Sequence, residues 1–281
     1  MKLIQIGNGL VMIAGFYVLF LIGKIVNDLL HREYKLNFEL VEKDNAALAL
    51  ALVGYYFGLV LAIGGAIVGP SVGLAGDLIY LGIYGLLSII LLNVSWYVCD
   101  RCILYRFKIG DELVRDQNLG TGAVSAGVSL ASGLIIYGAV KGQGGGILST
   151  IVFWAIGQVV LVLAGFVYSR IVSYNVHEQI EKDNVAAGVA FAGAIVAMGT
   201  IVGLAAEADF VSWTDNLPTY ITYAILGLVL LPVVRFLTNK ILLPTVKLAD
   251  EIAKQEKPNL GAAYIEAFSY IAAAFIIYWC V

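Results

Sequence analysis

Charge is what this chain has least of. Only 13% of its 281 residues are Asp, Glu, Lys or Arg, about half the roughly 25% of an ordinary soluble domain. So little charge cannot cover a surface in water, which excludes a soluble globular protein. The 17 basic residues stand against 20 acidic ones for a net charge of −3, so no basic face marks a nucleic-acid binder. Histidine occurs twice and cysteine three times. H-E-x-x-H, G-x-S-x-G and a P-loop Gly-Lys-Ser/Thr are all absent, and with them the usual hydrolase and nucleotide chemistries. No enzyme activity, no cofactor and no metal site are expected.

What is abundant is apolar mass. Hydrophobic residues make up 60% of the chain, which also excludes disorder, and the mean hydropathy is +0.90. A spanning helix needs about 20 mostly apolar residues. Eight such runs are present, at roughly 7–29, 46–69, 77–98, 120–140, 148–169, 185–206, 218–238 and 260–281. They are continuously apolar, unlike the alternating strands of a barrel. The first run follows a single basic residue, Lys2, and no small-x-small site succeeds it, so it is expected to remain as helix one and not to be cleaved.

Basic residues set orientation. Lys24, Arg32, Lys35 and Lys43 follow span one, and Arg101, Arg106, Lys108 and Arg115 follow span three. Arg170 and Lys182 follow span five, and Arg235, Lys240, Lys247, Lys254 and Lys257 follow the core of span seven. Fifteen of seventeen thus share one side, expected to be cytoplasmic, with both termini outside. The other side holds Lys2 and Lys141 with Asp77, Glu207, Asp209 and Asp215.

The sequence also repeats. Glu42-Lys43-Asp44-Asn45 opens span two and Glu181-Lys182-Asp183-Asn184 opens span six. Glu256-Lys257-Pro258-Asn259 opens span eight, and Arg115-Asp116-Gln117-Asn118 opens span four. A glutamate precedes the asparagine by six residues in three copies (Glu39, Glu112, Glu178) and by eight in the last (Glu251), and small residues follow each asparagine. The unit is an outer-to-inner helix, a charged loop and a small-residue helix returning outward. Two-helix units keep one orientation, so the repeat axis runs along the membrane normal. Spans 1–4 and 5–8 pair as halves, 1–145 and 146–281.

Asp and Asn at a helix start accept from otherwise unpaired N–H groups. Capping is therefore one reading of Asp44, Asn45, Asp116, Asn118, Asp183, Asn184 and Asn259. The other is a ring of carboxylates that concentrates cations or docks a basic partner. Gly54 and Gly58, Gly127 and Ala131, and Gly193 and Ala197 lie four apart, a spacing that permits close helix approach in lipid. Even spans are expected inside and the bulkier odd spans toward lipid. Asn93 and Gln158 are expected to bond between helices.

The Asn184-Val-Ala-Ala-Gly188 opening, the Asn-x-Gly-x-small hairpin at Asn118 and the terminal Trp279 together resemble the YjfL-like inner-membrane family of bacteria (DUF350), a four-span domain of unknown function. The resemblance covers the whole chain as two tandem copies and implies a bacterial inner membrane. Arg115-Asp116-Gln117 and Pro258 depart from its polar run.

Two places could carry chemistry. Glu266 is read as the only acid inside a span, seven residues past Asn259 and so about 10 Å deep. An intramembrane carboxylate is a functional-site candidate by default. It is read either as a proton or cation relay or as a paired packing residue, in both cases facing inward. Cys99-Asp100-Arg101-Cys102 is a C-x-x-C whose thiols, with His31 and His177, fit no usual zinc spacing. They read as small apolar side chains. The chain is expected to be an all-α polytopic protein of eight spans, and its leading function a conduit for a small ion or solute. The rival is a non-transporting anchor or scaffold. The expected partners are the lipid bilayer, a soluble cytoplasmic protein and further copies of the chain.

Overall fold

The computed structural model describes residues 2–32 and 34–280, with residues 2–4 as backbone alone. Among the described residues eight helices are long and apolar enough to cross a membrane: α1 (Lys2–Leu30), α2 (Ala46–Gly64), α3 (Leu74–Val98), α5 (Leu119–Lys141), α6 (Gly146–Ile171), α8 (Val185–Ala206), α9 (Trp213–Leu237) and α11 (Leu260–Cys280). Three one-and-a-half-turn helices, α4 (Ile109–Val114), α7 (Val176–Glu181) and α10 (Leu248–Ala253), lie in the basic loops. Single π-helical turns extend α3 and α9, at Cys99–Ile103 and Thr238–Leu242, and another occupies Phe38–Glu42.

The spans form two layers of four. In one, α2, α5, α8 and α11 stand side by side in that order. In the other, α1, α3, α6 and α9 do the same and pack across the first. The order of each layer follows from the repeat, because every unit adds one helix to each row. Glycine makes the first row tight. A Cβ on Gly54 would fall 2.2 Å from Ala126 Cα, one on Gly127 2.9 Å from Ala192 Cβ, and one on Gly193 2.4 Å from Ala267 Cα. With no hydrophobic drive between helices in lipid, such backbone approach supplies the packing.

The expectation that even spans lie inside holds for α5 and α8, which are mostly buried. It fails for α11, which is as exposed as α9. The cause is position: α11 ends its row and has a neighbour on one side only. The interhelical bonds of Asn93 and Gln158 are present, Asn93 Nδ2 donating to Tyr55 Oη at 3.0 Å and Gln158 Nε2 to Ser132 Oγ at 3.2 Å. On the less basic face, Lys141 pairs with Glu207, and Asp209 Oδ1 accepts from Gln143 N at 3.1 Å. Asp77 Oδ1 there accepts from Val72 N at 2.9 Å in the turn before α3, and Asp215 accepts from Ser212 Oγ, the cap of α9.

Candidate functional site

Each basic loop closes on its asparagine. Asn45, Asn118 and Asn184 are extended, and Oδ1 of each accepts from the N–H three residues on, at 3.0, 2.9 and 3.1 Å. Asn259 does the same toward Ala262. The amide nitrogen reaches further. Asn45 Nδ2 donates to Glu39 Oε2 in its own loop and to the Leu113 carbonyl, at 2.8 Å, in the next repeat. Asn118 donates likewise to Glu112 and the Ile180 carbonyl. Only an amide supplies one acceptor and two donors in this arrangement, so aspartate could not take the position.

The third copy differs from the expected spacing. Asn184 Nδ2 donates to Gln179 Oε1 at 2.7 Å and to the Ile252 carbonyl at 2.8 Å. Glu178 instead turns to solvent and pairs with Lys182 at 2.6 Å. Gln179 offers the same kind of acceptor one residue later and leaves Glu178 free for the lysine. Asn259, last in the row, bonds Glu251 within its own loop at 2.9 Å.

The residue before the cap is left-handed in three copies, Asp44 (φ 52°), Gln117 (φ 52°) and Asp183 (φ 57°). Proline cannot adopt that φ. Pro258 therefore goes with a longer loop, and Glu251 sits eight residues before its asparagine. The acids are used singly: Asp44 is exposed, Asp116 pairs with Arg115 at 2.7 Å, and Asp183 Oδ1 accepts from Leu119 N at 3.1 Å. Asp116 stands one residue from the left-handed position that Asp44 and Asp183 occupy.

Electrostatics differ from loop to loop. Burial pushes Glu39 up, but hydrogen bonds from Lys43 and Asn45 and the Lys43 charge outweigh it and hold the carboxyl below its usual range. Burial raises Glu112, and the Asn118 hydrogen bond only partly offsets this; four residues on stands Asp116 in place of a lysine. Burial also lowers His177, whose Nε2 donates to the Ile103 carbonyl at 2.8 Å. His31 instead packs edge-on against Trp96, and of the C-x-x-C pair Cys99 is buried and Cys102 exposed.

Glu266 is fully buried and faces inward. Oε1 is paired with Arg235 of α9 and accepts from Tyr168 Oη at 3.3 Å, and that hydroxyl meets Tyr174 Oη at 3.3 Å. Tyr270 lies beside the carboxylate, and the Arg235 guanidinium sits 5.9 Å from the Tyr168 ring centre. Counted with the loop cations, Arg235 gives one sequence signal of its role: it still lies inside span seven, at a depth like that of Glu266. A second in-span acid, Asp28, pairs with Lys24 one turn away at 2.5 Å.

The first half holds a counterpart. Asp100 Oδ1 accepts from Ile109 N, and Asn239 Oδ1 from Leu248 N, both at 2.9 Å. This fixes α3 on α9 with an offset of 139 residues, so Trp96 stands for Arg235. Counted from the asparagines, Ser125 stands for Glu266 and Ser129 for Tyr270. With Asn27 and His31 these line a cavity of about 30 Å³, into whose wall Ser125 Oγ is buried without a hydrogen bond. That is room for one water.

The model of the family described as Domain of Unknown Function (DUF350) matches the chain twice, over residues 2–140 and 144–281. A UPF0719 transmembrane protein of Aquifex aeolicus (strain VF5) is 27% identical over 270 residues, which is 94% of this chain and 96% of that one. No solved structure matches. The chain carries the family's domain twice, once in each structural half, and belongs to the DUF350 family.

Proposed function

We propose that the chain is a non-transporting membrane scaffold that presents a rigid basic platform to a soluble partner. The observation that carries this is the chain of asparagine joints. Asn45, Asn118 and Asn184 each tie their own loop to the loop of the next repeat. Four loops that would otherwise move independently are thereby fixed in one row, with Arg101, Lys108, Arg115 and Lys182 displayed on it. Backbone-to-backbone packing along α2, α5, α8 and α11 leaves no room for a column of water between them. Glu266 has a cation within the chain, as a packing residue does. The platform faces the cytoplasm in this reading, because basic loops are retained there.

Liposome flux distinguishes the scaffold from a conduit. Proteoliposomes carrying the full chain are expected to pass protons and potassium no faster than protein-free liposomes. Flux above that level that Glu266→Gln removes would overturn the scaffold. Native mass spectrometry supplies the positive arm: a stoichiometric soluble partner retained by the wild type is expected to be lost from Arg101→Gln/Lys108→Gln/Arg115→Gln.

A further inference from the structure

The halves meet on the basic face around a cavity of about 240 Å³. Its walls come from the turn after α3, the last three turns of α6 and the start of α7. Two guanidiniums line it, Arg106 and Arg170. Several other cations of this face are paired with acids close in sequence, Arg101 with Asp100, Arg115 with Asp116, Lys182 with Glu178 and Lys254 with Asp250. Arg106 and Arg170 have no ion pair among the described residues. The acid whose field Arg106 reaches is Glu178, which Lys182 already holds. Ser169 Oγ, also in the wall, is buried with no hydrogen bond.

The opposite end of the cavity is apolar. Val162, Gly165 and Phe166 of α6 form it, with Phe166 exposed on the outer surface of the span. Val162 and Arg170 are eight residues apart on one helix, about 12 Å along its axis. The cavity thus runs from a wall at the depth of acyl chains to a pair of unneutralised cations where the bilayer ends. A free anion would use only the second part, and an acidic protein would have no use for the first. Basic pockets between spans at this level suit lipid headgroups.

We propose that this joint binds one anionic phospholipid, its phosphate between Arg106 and Arg170 with Ser169 Oγ as a further donor, and an acyl chain along Val162 and Phe166. The lipid would add to the contacts that line this side of the joint, the His177–Ile103 hydrogen bond and the Tyr105 ring 4.6 Å from that of His177. The site is independent of any soluble partner on the platform.

The test is native mass spectrometry of the full chain in neutral detergent with phosphatidylglycerol or phosphatidylcholine added. The wild type is expected to retain one phosphatidylglycerol, and Arg106→Gln/Arg170→Gln to hold it roughly thirtyfold less well, at about a factor of five per cation. Arg101→Gln/Arg115→Gln, on the adjoining rim, is expected to bind as the wild type does. Equal retention by the Arg106/Arg170 variant would overturn the site, as would equal loss from the rim variant or equal retention of phosphatidylcholine. Complete displacement by an equal concentration of inorganic phosphate would overturn the lipid in favour of a free anion. Should the double variant not yield folded protein, Arg170→Gln alone is read by the same criteria, with about a fivefold loss expected.

Discussion

Glu39 and Glu112 occupy the same position in successive repeats, receive the same asparagine and ionise differently. Glu39 has Lys43 one turn on, whereas Glu112 has Asp116 there, and its burial is only partly offset by Asn118. Linkage gives the two opposite signs. The depressed carboxyl of Glu39 contributes stability that is present above the ordinary glutamate range and is lost as pH falls through its lowered value. The raised carboxyl of Glu112 contributes stability at low pH that is lost as pH rises through its shifted value. Thermal midpoints in detergent should therefore fall for Glu39→Gln at pH 7 and hold or rise for Glu112→Gln, with the two converging only as pH falls below the usual glutamate value of about 4.3. Equal losses for both at pH 7 would show that Lys43 does not govern the difference. The asparagines were legible in sequence because no other side chain meets their triple bonding. The exchange of Gln179 for Glu178 was not, since either can accept the bond and only the loop's path decides between them. Glu266 was legible by its depth, but its pairing with Arg235 depends on how α9 and α11 are rotated toward each other, which neither segment encodes alone.

The row of small-residue helices follows one rule. Nine residues past the asparagine stands glycine in three repeats (Gly54, Gly127, Gly193), and each meets the alanine eight residues past the next asparagine (Ala126, Ala192, Ala267). At the two free ends the rule is broken. The first repeat has Val53 where alanine would receive a glycine, and the last has Phe268 where glycine would give close approach; both are exposed. A fifth helix cannot add by the same contact, much as terminal units of solenoids differ from internal ones. Gly193→Leu is accordingly expected to destabilise at or above the top of the usual 1–3 kcal/mol for overpacking, because the clash is with the Ala267 backbone. Phe268→Ala, on the free face, should stay within about 0.5 kcal/mol. A Gly193→Leu protein with an unchanged unfolding midpoint would mean that α8 and α11 separate freely, and would remove the rule. The glycine spacing was readable beforehand. That α11 is a boundary helix was not, because Phe268 acquires meaning only once its equivalents are known to face a neighbour.

For the whole molecule, repetition in one direction has a consequence for charge. Every loop that follows an odd span lies on the same face, so each repeat adds its cations there and the asymmetry accumulates across four copies. The opposite face carries the described cation Lys141, and that is held by Glu207. Such a bias orients a chain in the membrane, with the cation-rich face retained in the cytoplasm. Cysteine labelling reads this directly. Cys102 and Cys280 are exposed and Cys99 is buried, so the background is Cys102→Ala/Cys280→Ala. Asp209→Cys in that background, on the acidic face, should react with an impermeant maleimide in intact cells. Glu178→Cys, beside Lys182 on the basic face, should react only after the membrane is opened. The opposite pattern would invert the molecule and put the basic face outside, leaving the two-row fold intact but removing the proposed cytoplasmic partner from reach. Labelling of both sites in intact cells would contradict the repeat itself, since two loops of opposite parity cannot share a side when eight helices each cross once.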